Sequence, residues 1–283
     1  MELIIESDIL FIDIEKYEKF EGFKLNGASI FDKYTPNDKY HGEYQLILKK
    51  TVKNTQELNE SAKSLNRIAL LINPLMTYVI GHPINVSKKE FYGKRFSLVV
   101  NNKVESWTTN YDNVSRILQT REHPQGISGI GEISDIRTWS SIGYTPLFEL
   151  IKVIDSYKHL DNITKILIRY HSLAHLYEFD VRYIILGKAL EIAEQLLPIP
   201  KDRKKSFSLL PAEIKDEFKN RDISWLYNMS NNRMETRHAI NLGSKDSLHE
   251  WMTEDEYFDF MHLSDLLINY IVRTKMNLEP FII

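Results

Sequence analysis

Between residues 121 and 145 the chain concentrates Pro124, Gly126, Gly129, Gly131 and Gly143, the densest run of helix- and strand-interrupting residues in its 283 positions. Regular structure is disfavoured there, because glycine loses the most conformational freedom on ordering and proline cannot donate a backbone hydrogen bond. Before this segment, short β-branched and aromatic runs prevail; after it, apolar residues recur at steps of three and four. The pattern divides the chain into residues 1–144, a mixed α/β part, and residues 145–283, an all-helical part. The expected fold class is α+β, and the length suits two domains.

In the first part, Leu3–Ile5, Ile9–Ile14 and Tyr44–Leu48 read as strands and Asp32–Asp38 as a turn-rich segment. Leu58, Ala62, Leu65, Ala69, Ile72 and Met76 form one helical stripe, which Pro74 is expected to bend or end. Phe96–Val100 and Val104–Thr108 suggest a hairpin around a three-residue loop, Asn101 to Lys103. In the second part, helices are expected over Leu147–Leu160, Ile163–Phe179, Val181–Leu197, Pro211–Phe218, Ile223–Ile240 and Thr253–Lys275. Thr253 and Glu256 have the spacing of a capping box. Tyr257, Phe260, Met261, Leu267, Ile268 and Ile271 define the buried face of that last helix, with Asp259 and Arg273 outside it.

Thirty-six basic residues against 39 acidic ones leave no global positive field, so any contact with RNA must be local. The absence of cysteine excludes disulfides, thiolate nucleophiles and cysteine-ligated zinc, and fits a reducing, cytoplasmic setting. Glu2, Glu6, Asp8 and Asp13 argue against a secretory signal at the N-terminus. The apolar run Leu65–Ile80 is too short and too interrupted for a membrane span and reads as a buried helix, so no membrane partner is expected.

Three further patterns have bland explanations. His171, His175 and Glu178 share one helical face at a spacing compatible with a metal, but no glutamate lies between the histidines as a zinc hydrolase requires, and a partly buried polar helix face explains them. Gly126 to Gly131 matches neither a nucleophile elbow nor a dinucleotide loop and reads as a linker. Lys201, Arg203, Lys204 and Lys205 form a basic loop beside Pro198 and Pro200; such loops are usually solvated, and this one would hold phosphates if the domain binds RNA. No metal or other cofactor is expected.

The segment from Trp225 to Ile240 is unusually polar and donor-rich for a domain of amphipathic helices, and within it Arg233 and His238 are separated by four residues. This resembles the R-x4-6-H signature of the HEPN family. Ile184–Ile192, with its Leu190-Glu191 ending, is similar to an early helix of such domains, and Trp225-Leu-Tyr227 resembles the lead-in to the motif. The resemblance covers roughly half the chain. It implies a HEPN-like helical bundle and a metal-independent endoribonuclease of a defence or abortive-infection type, in which a ribose 2′-hydroxyl attacks its own phosphodiester. His238 would transfer the proton and Arg233 would stabilise the phosphate, with Asn232 and Arg237 as further RNA contacts. On a regular helix residues five apart point about 140° from one another, so the pair requires a kink or completion across a dimer. A homodimer through the helical domain is expected, with the N-terminal part as sensor of an unknown trigger. Active members usually carry a small polar residue after the arginine, where this chain has Met234. That departure favours the alternative of a catalytically inactive dimerisation or nucleic-acid-binding module.

Overall fold

The computed structural model describes residues 2–11, 21–36, 42–80, 95–108, 146–174, 179–232 and 253–280. The strands are β1 (Glu2–Phe11), β2 (Phe23–Leu25), β3 (Ala28–Pro36), β4 (Gly42–Thr51), β5 (Arg95–Val100) and β6 (Lys103–Thr108). They form one antiparallel sheet in the order β2-β3-β4-β1-β5-β6. In register, Ile30 and Ile5 both lie opposite Leu48, and Ile5 also lies opposite Phe96, so one apolar row crosses the sheet. Ile30, Leu46 and Leu48 are buried on that face.

Helix α1 (Leu58–Ile80) follows β4 after a 3-10 turn at Thr55–Glu57. Its stripe Leu58, Ala62, Leu65, Ala69, Ile72 and Met76 is buried, as the periodicity predicts, and Ile68 is buried as well. Lys50, on the same sheet face as Leu46 and Leu48, donates to Ser64 Oγ at 3.1 Å, which sets α1 over that face. Of the two effects expected of Pro74, a bend or an end, the end does not occur, since Pro74 lies inside the helix. Proline forfeits a bond to the carbonyl of residue 70, and the apolar stripe on both sides outweighs that loss.

Two hairpins use loops of left-handed residues. Leu25 pairs with Ala28 around Asn26 and Gly27, at φ 50° and 78°. Val100 pairs with Lys103 around Asn101 and Asn102, at φ 50° and 61°. Positive φ at both central positions is what a tight two-residue hairpin needs, and asparagine tolerates it. The β5–β6 loop is therefore two residues long rather than three. Of the segment Asp32–Asp38, expected to be turn-rich, residues 32–36 belong to β3, where pairing with β4 overrides local propensity, and Asn37 and Asp38 lie outside the described residues.

The remaining helices are α2 (Pro146–His159), α3 (Asn162–Ala174), α4 (Phe179–Ala193, continued by a 3-10 turn at Glu194–Leu196), α5 (Arg203–Ser208), α6 (Ala212–Glu217), α7 (Ile223–Asn232) and α8 (Glu254–Lys275). The protein thus has an N-terminal mixed α/β segment and a mostly helical C-terminal region. The described residues fall into two compact units: one holds the sheet and α1 up to Asn73, and the other takes α1 from Pro74 together with the helical region from Val153.

In the helical unit α4 is central and packs against α3, α7 and α8. Tyr183 stacks on Phe260 with ring centroids 4.1 Å apart. Phe260, Leu263, Leu266, Leu267, Ile268, Ile271 and Val272 are buried along α8, each contributing on the order of 1.5–3 kcal/mol. Thr253 and Glu256 form the expected capping box at the start of α8. Arg273, expected outside the buried stripe, is only 4% exposed. Among the described residues no helix is long and apolar enough to cross a membrane.

Candidate functional site

Helix α7 leads into the segment that holds the candidate pair. Asp222 caps its start, accepting from the Trp225 backbone N–H at 3.1 Å. Ile223, Leu226, Tyr227, Met229 and Ser230 are its buried face. The Tyr227 hydroxyl donates to the carbonyl of Leu190 on α4. Burial, reinforced by the negative charge of Glu194, pushes the Tyr227 phenol well above its usual range. Gly187 on α4 lies so close to α7 that a Cβ there would stand 2.7 Å from Ser230 Oγ. At the other end of α7, the Arg221 guanidinium sits 4.1 Å over the Trp225 ring and pairs with Asp259 of α8. Asn232 is the last residue of α7, whereas Arg233, Met234, Arg237 and His238 lie outside the described residues.

The basic cluster is more ordered than a solvated loop. Asp202 accepts from the Lys205 backbone N–H at 3.0 Å and caps α5, so Arg203, Lys204 and Lys205 are helical. That hydrogen bond, with the Lys205 side chain, holds the Asp202 carboxyl below the usual carboxylate range. Before the helix, Lys201 adopts φ 64° in a turn closed by Asp202 N–H to the Ile199 carbonyl at 3.1 Å. Buried Ser206 donates to the Ile199 carbonyl at 2.9 Å and accepts from its N–H at 3.1 Å. The cations have different roles: Lys201, Lys204 and Lys205 are exposed, and Lys205 pairs with Asp202 at 3.2 Å. Arg203 turns inward, donating to Glu194 at 2.7 Å and lying 3.9 Å over the Tyr227 ring, which ties the cluster to α7.

A second polar constellation escaped the sequence. His171 on α3 is fully buried rather than part of a partly buried polar face. The Tyr78 hydroxyl of α1 lies 2.9 Å from His171 Nδ1, and Asp265 Oδ1 of α8 lies 2.8 Å from Nε2. A carboxylate only accepts, so Nε2 carries a proton, and when the ring is neutral Nδ1 accepts from the Tyr78 hydroxyl. The Asn269 side chain donates to the Asp265 carbonyl at 3.1 Å. Arg273 donates to the Tyr78 carbonyl and, from Nε, to the Glu279 carbonyl. Burial and the Asp265 charge push the Tyr78 phenol well above its usual range, so it serves as a hydrogen-bond donor and not as a nucleophile. Both nitrogens of His171 are engaged, and His175 and Glu178 lie outside the described residues. Among the described residues no three histidine, aspartate or glutamate side chains could hold a metal. One signal was available: His171 shares a stripe with Leu167, Ile168 and Ala174, where a polar side chain must find partners.

No family model, curated protein or solved structure matches the chain.

Proposed function

We propose that the chain is a metal-independent endoribonuclease of HEPN type, with Arg233 and His238 as its catalytic pair and RNA as its substrate. The observation that carries this reading is the Arg-x4-His spacing in a polar segment that follows a bundle helix. Neutral His238 takes the proton of a ribose 2′-hydroxyl; the oxygen bonds to phosphorus, the bond to the 5′-oxygen breaks, and that oxygen leaves with a proton from water. Arg233 pairs with the non-bridging oxygens through its planar fork. Asn232, Arg237 and the exposed lysines 201, 204 and 205 hold the backbone on either side. Two copies pair through the helical region and complete the site, and the sheet unit senses the trigger. In support, α7, the helix that precedes the pair in sequence, is anchored by buried contacts to α4.

Purified chain is expected to cut RNA in the presence of a chelator, leaving a cyclic phosphate and a 5′-hydroxyl, and His238→Ala should lose about 100-fold or more in rate. Full activity of His238→Ala would refute the assignment. Met234 favours a second reading, an inactive dimerisation or nucleic-acid-binding module, which predicts intact RNA and a doubled mass in solution.

A further inference from the structure

Helices α3 and α4 present an apolar surface to solvent. They follow each other in the chain, pack side by side and both rest on α8, α3 through His171 to Asp265 and α4 through the Tyr183 ring on Phe260. At about 100° per residue, Ile163, Ile166 and Tyr170 lie about 80–140° round α3 from His171, and Val181, Ile184 and Ile185 about 100–160° round α4 from Tyr183. Both rows are therefore turned away from α8. Ile163, Ile166, Tyr170, Val181 and Ile184 are 41%, 47%, 37%, 44% and 43% exposed, and Ile185 is half-buried. Single exposed apolar residues are ordinary, but these recur at steps of three and four on neighbouring helices, the spacing by which one helix packs into the grooves of another. With about two fifths of each in view, the five leave on the order of 350 Å² of apolar surface exposed. A stable dimer buries about 800 Å² on each copy, roughly 60% of it apolar. The face thus supplies most of the apolar share that one copy must contribute.

Charge selects the occupant. The apolar rows carry no ionised group, and at their edges lie exposed Arg169 on α3 and, on α4, Lys188 paired with Glu191 at 2.9 Å. A surface built for RNA or an anionic bilayer would be edged by cations without a carboxylate, and RNA bases would be met by aromatic rings rather than isoleucine. A second copy of the same face brings equal apolar area, the same ridge spacing and edge groups of both signs, so cations of one copy have a carboxylate of the other to meet. We propose that the outer face of α3 and α4 is the surface through which two copies of this chain pair about a two-fold axis. This names the face for the pairing proposed above and rests on that part of the reading, not on RNA cleavage.

Sedimentation velocity on the full chain tests it. Wild type should sediment at twice the chain mass at micromolar concentration. Two-fold symmetry places every substitution in the interface twice, so Ile166→Asp and Val181→Asp, one on each helix, should each raise the dissociation constant about 100-fold or more. Leu70→Asp, at an exposed leucine of α1, should leave the dimer intact. If an aspartate variant loses its helical circular dichroism, Ile166→Ser and Val181→Ser carry the same test with a smaller shift. A wild type still monomeric at about 100 µM overturns the face and the pairing together. A dimer that survives both substitutions, or that Leu70→Asp dissociates equally, overturns the face and leaves the pairing. Monomeric wild type that instead sediments with phosphatidylglycerol vesicles, and loses this in Ile166→Asp, gives the face to a bilayer and overturns the proposal. None of these results bears on His238, which the cleavage assay reads by itself.

Discussion

Gly187→Ala tests how tightly α4 and α7 are set against each other. In the middle of a helix, replacing glycine by alanine ordinarily stabilises by about 0.5–1 kcal/mol, because the unfolded chain loses freedom. At position 187 the new Cβ would meet Ser230 Oγ at 2.7 Å, closer than unbonded atoms sit, and Ser230 is itself buried. Overpacking of this kind costs about 1–3 kcal/mol, so the overlap should cancel or exceed the propensity gain and leave a net loss of up to about 2 kcal/mol. Removing the hydroxyl changes the sign. In a Ser230→Ala background the nearest remaining atom is the Cβ of residue 230, at an ordinary 3.7 Å, and Gly187→Ala should recover its gain of about 0.5–1 kcal/mol. The double-mutant cycle, read from urea midpoints at constant m-value, should therefore show a coupling of about 1–3 kcal/mol. Additivity within about 0.5 kcal/mol would mean that Ser230 swings aside freely and that α7 is not seated by this contact.

Asp161 caps α3, accepting from the Thr164 N–H and hydroxyl at 2.8 Å each, and Asp161→Ala should cost about 1 kcal/mol in denaturant unfolding. The Thr164 N–H holds the Asp161 carboxyl below its usual range, so its stabilisation is present above about pH 4 and is lost as pH falls through the lower folded value; Asp161→Asn should flatten the acid limb of the Tm profile. Tyr78 and Tyr227 are shifted the other way, so stability should hold below about pH 10 and decline above it as the unfolded phenols ionise first. Tyr227→Phe should shallow that alkaline decline in urea midpoints, and an unaltered slope would remove Tyr227 from the account.

What the sequence reveals and what it hides divide along a physical line. Elements that bury a periodic face are legible: the α1 stripe, the capping box at Thr253 and the apolar face of α8 are written in spacing alone. The Asn26-Gly27 turn is equally readable, since that dipeptide between apolar runs is a strong hairpin signal. The length of the loop at Asn101 is not legible, because strand propensity does not show that Lys103 pairs with Val100. Helix α5 was hidden because its six residues carry little apolar periodicity and are held by Asp202 and Ser206 instead. His171 and its partners were hidden for a different reason. Tyr78 and Asp265 lie 93 and 94 residues away, so only the fold brings them together.

The two clamps in the helical unit share one logic. At each, a buried tyrosine hydroxyl from one helix donates into an acceptor of another: Tyr227 into the Leu190 carbonyl and Tyr78 into His171. An arginine sits against each tyrosine, Arg203 over the ring of Tyr227 and Arg273 on the carbonyl of Tyr78. Apolar packing holds helices together but is non-directional, and it tolerates small slides and rotations. A hydroxyl aimed at a single acceptor does not, because a shift of one residue moves it about 1.5 Å along the axis and about 100° around it. Tyrosine therefore fixes register where leucine would fix only proximity. That is the property required of α7 if it leads to a catalytic pair, since a misplacement of about 1 Å can cost about 100-fold in rate.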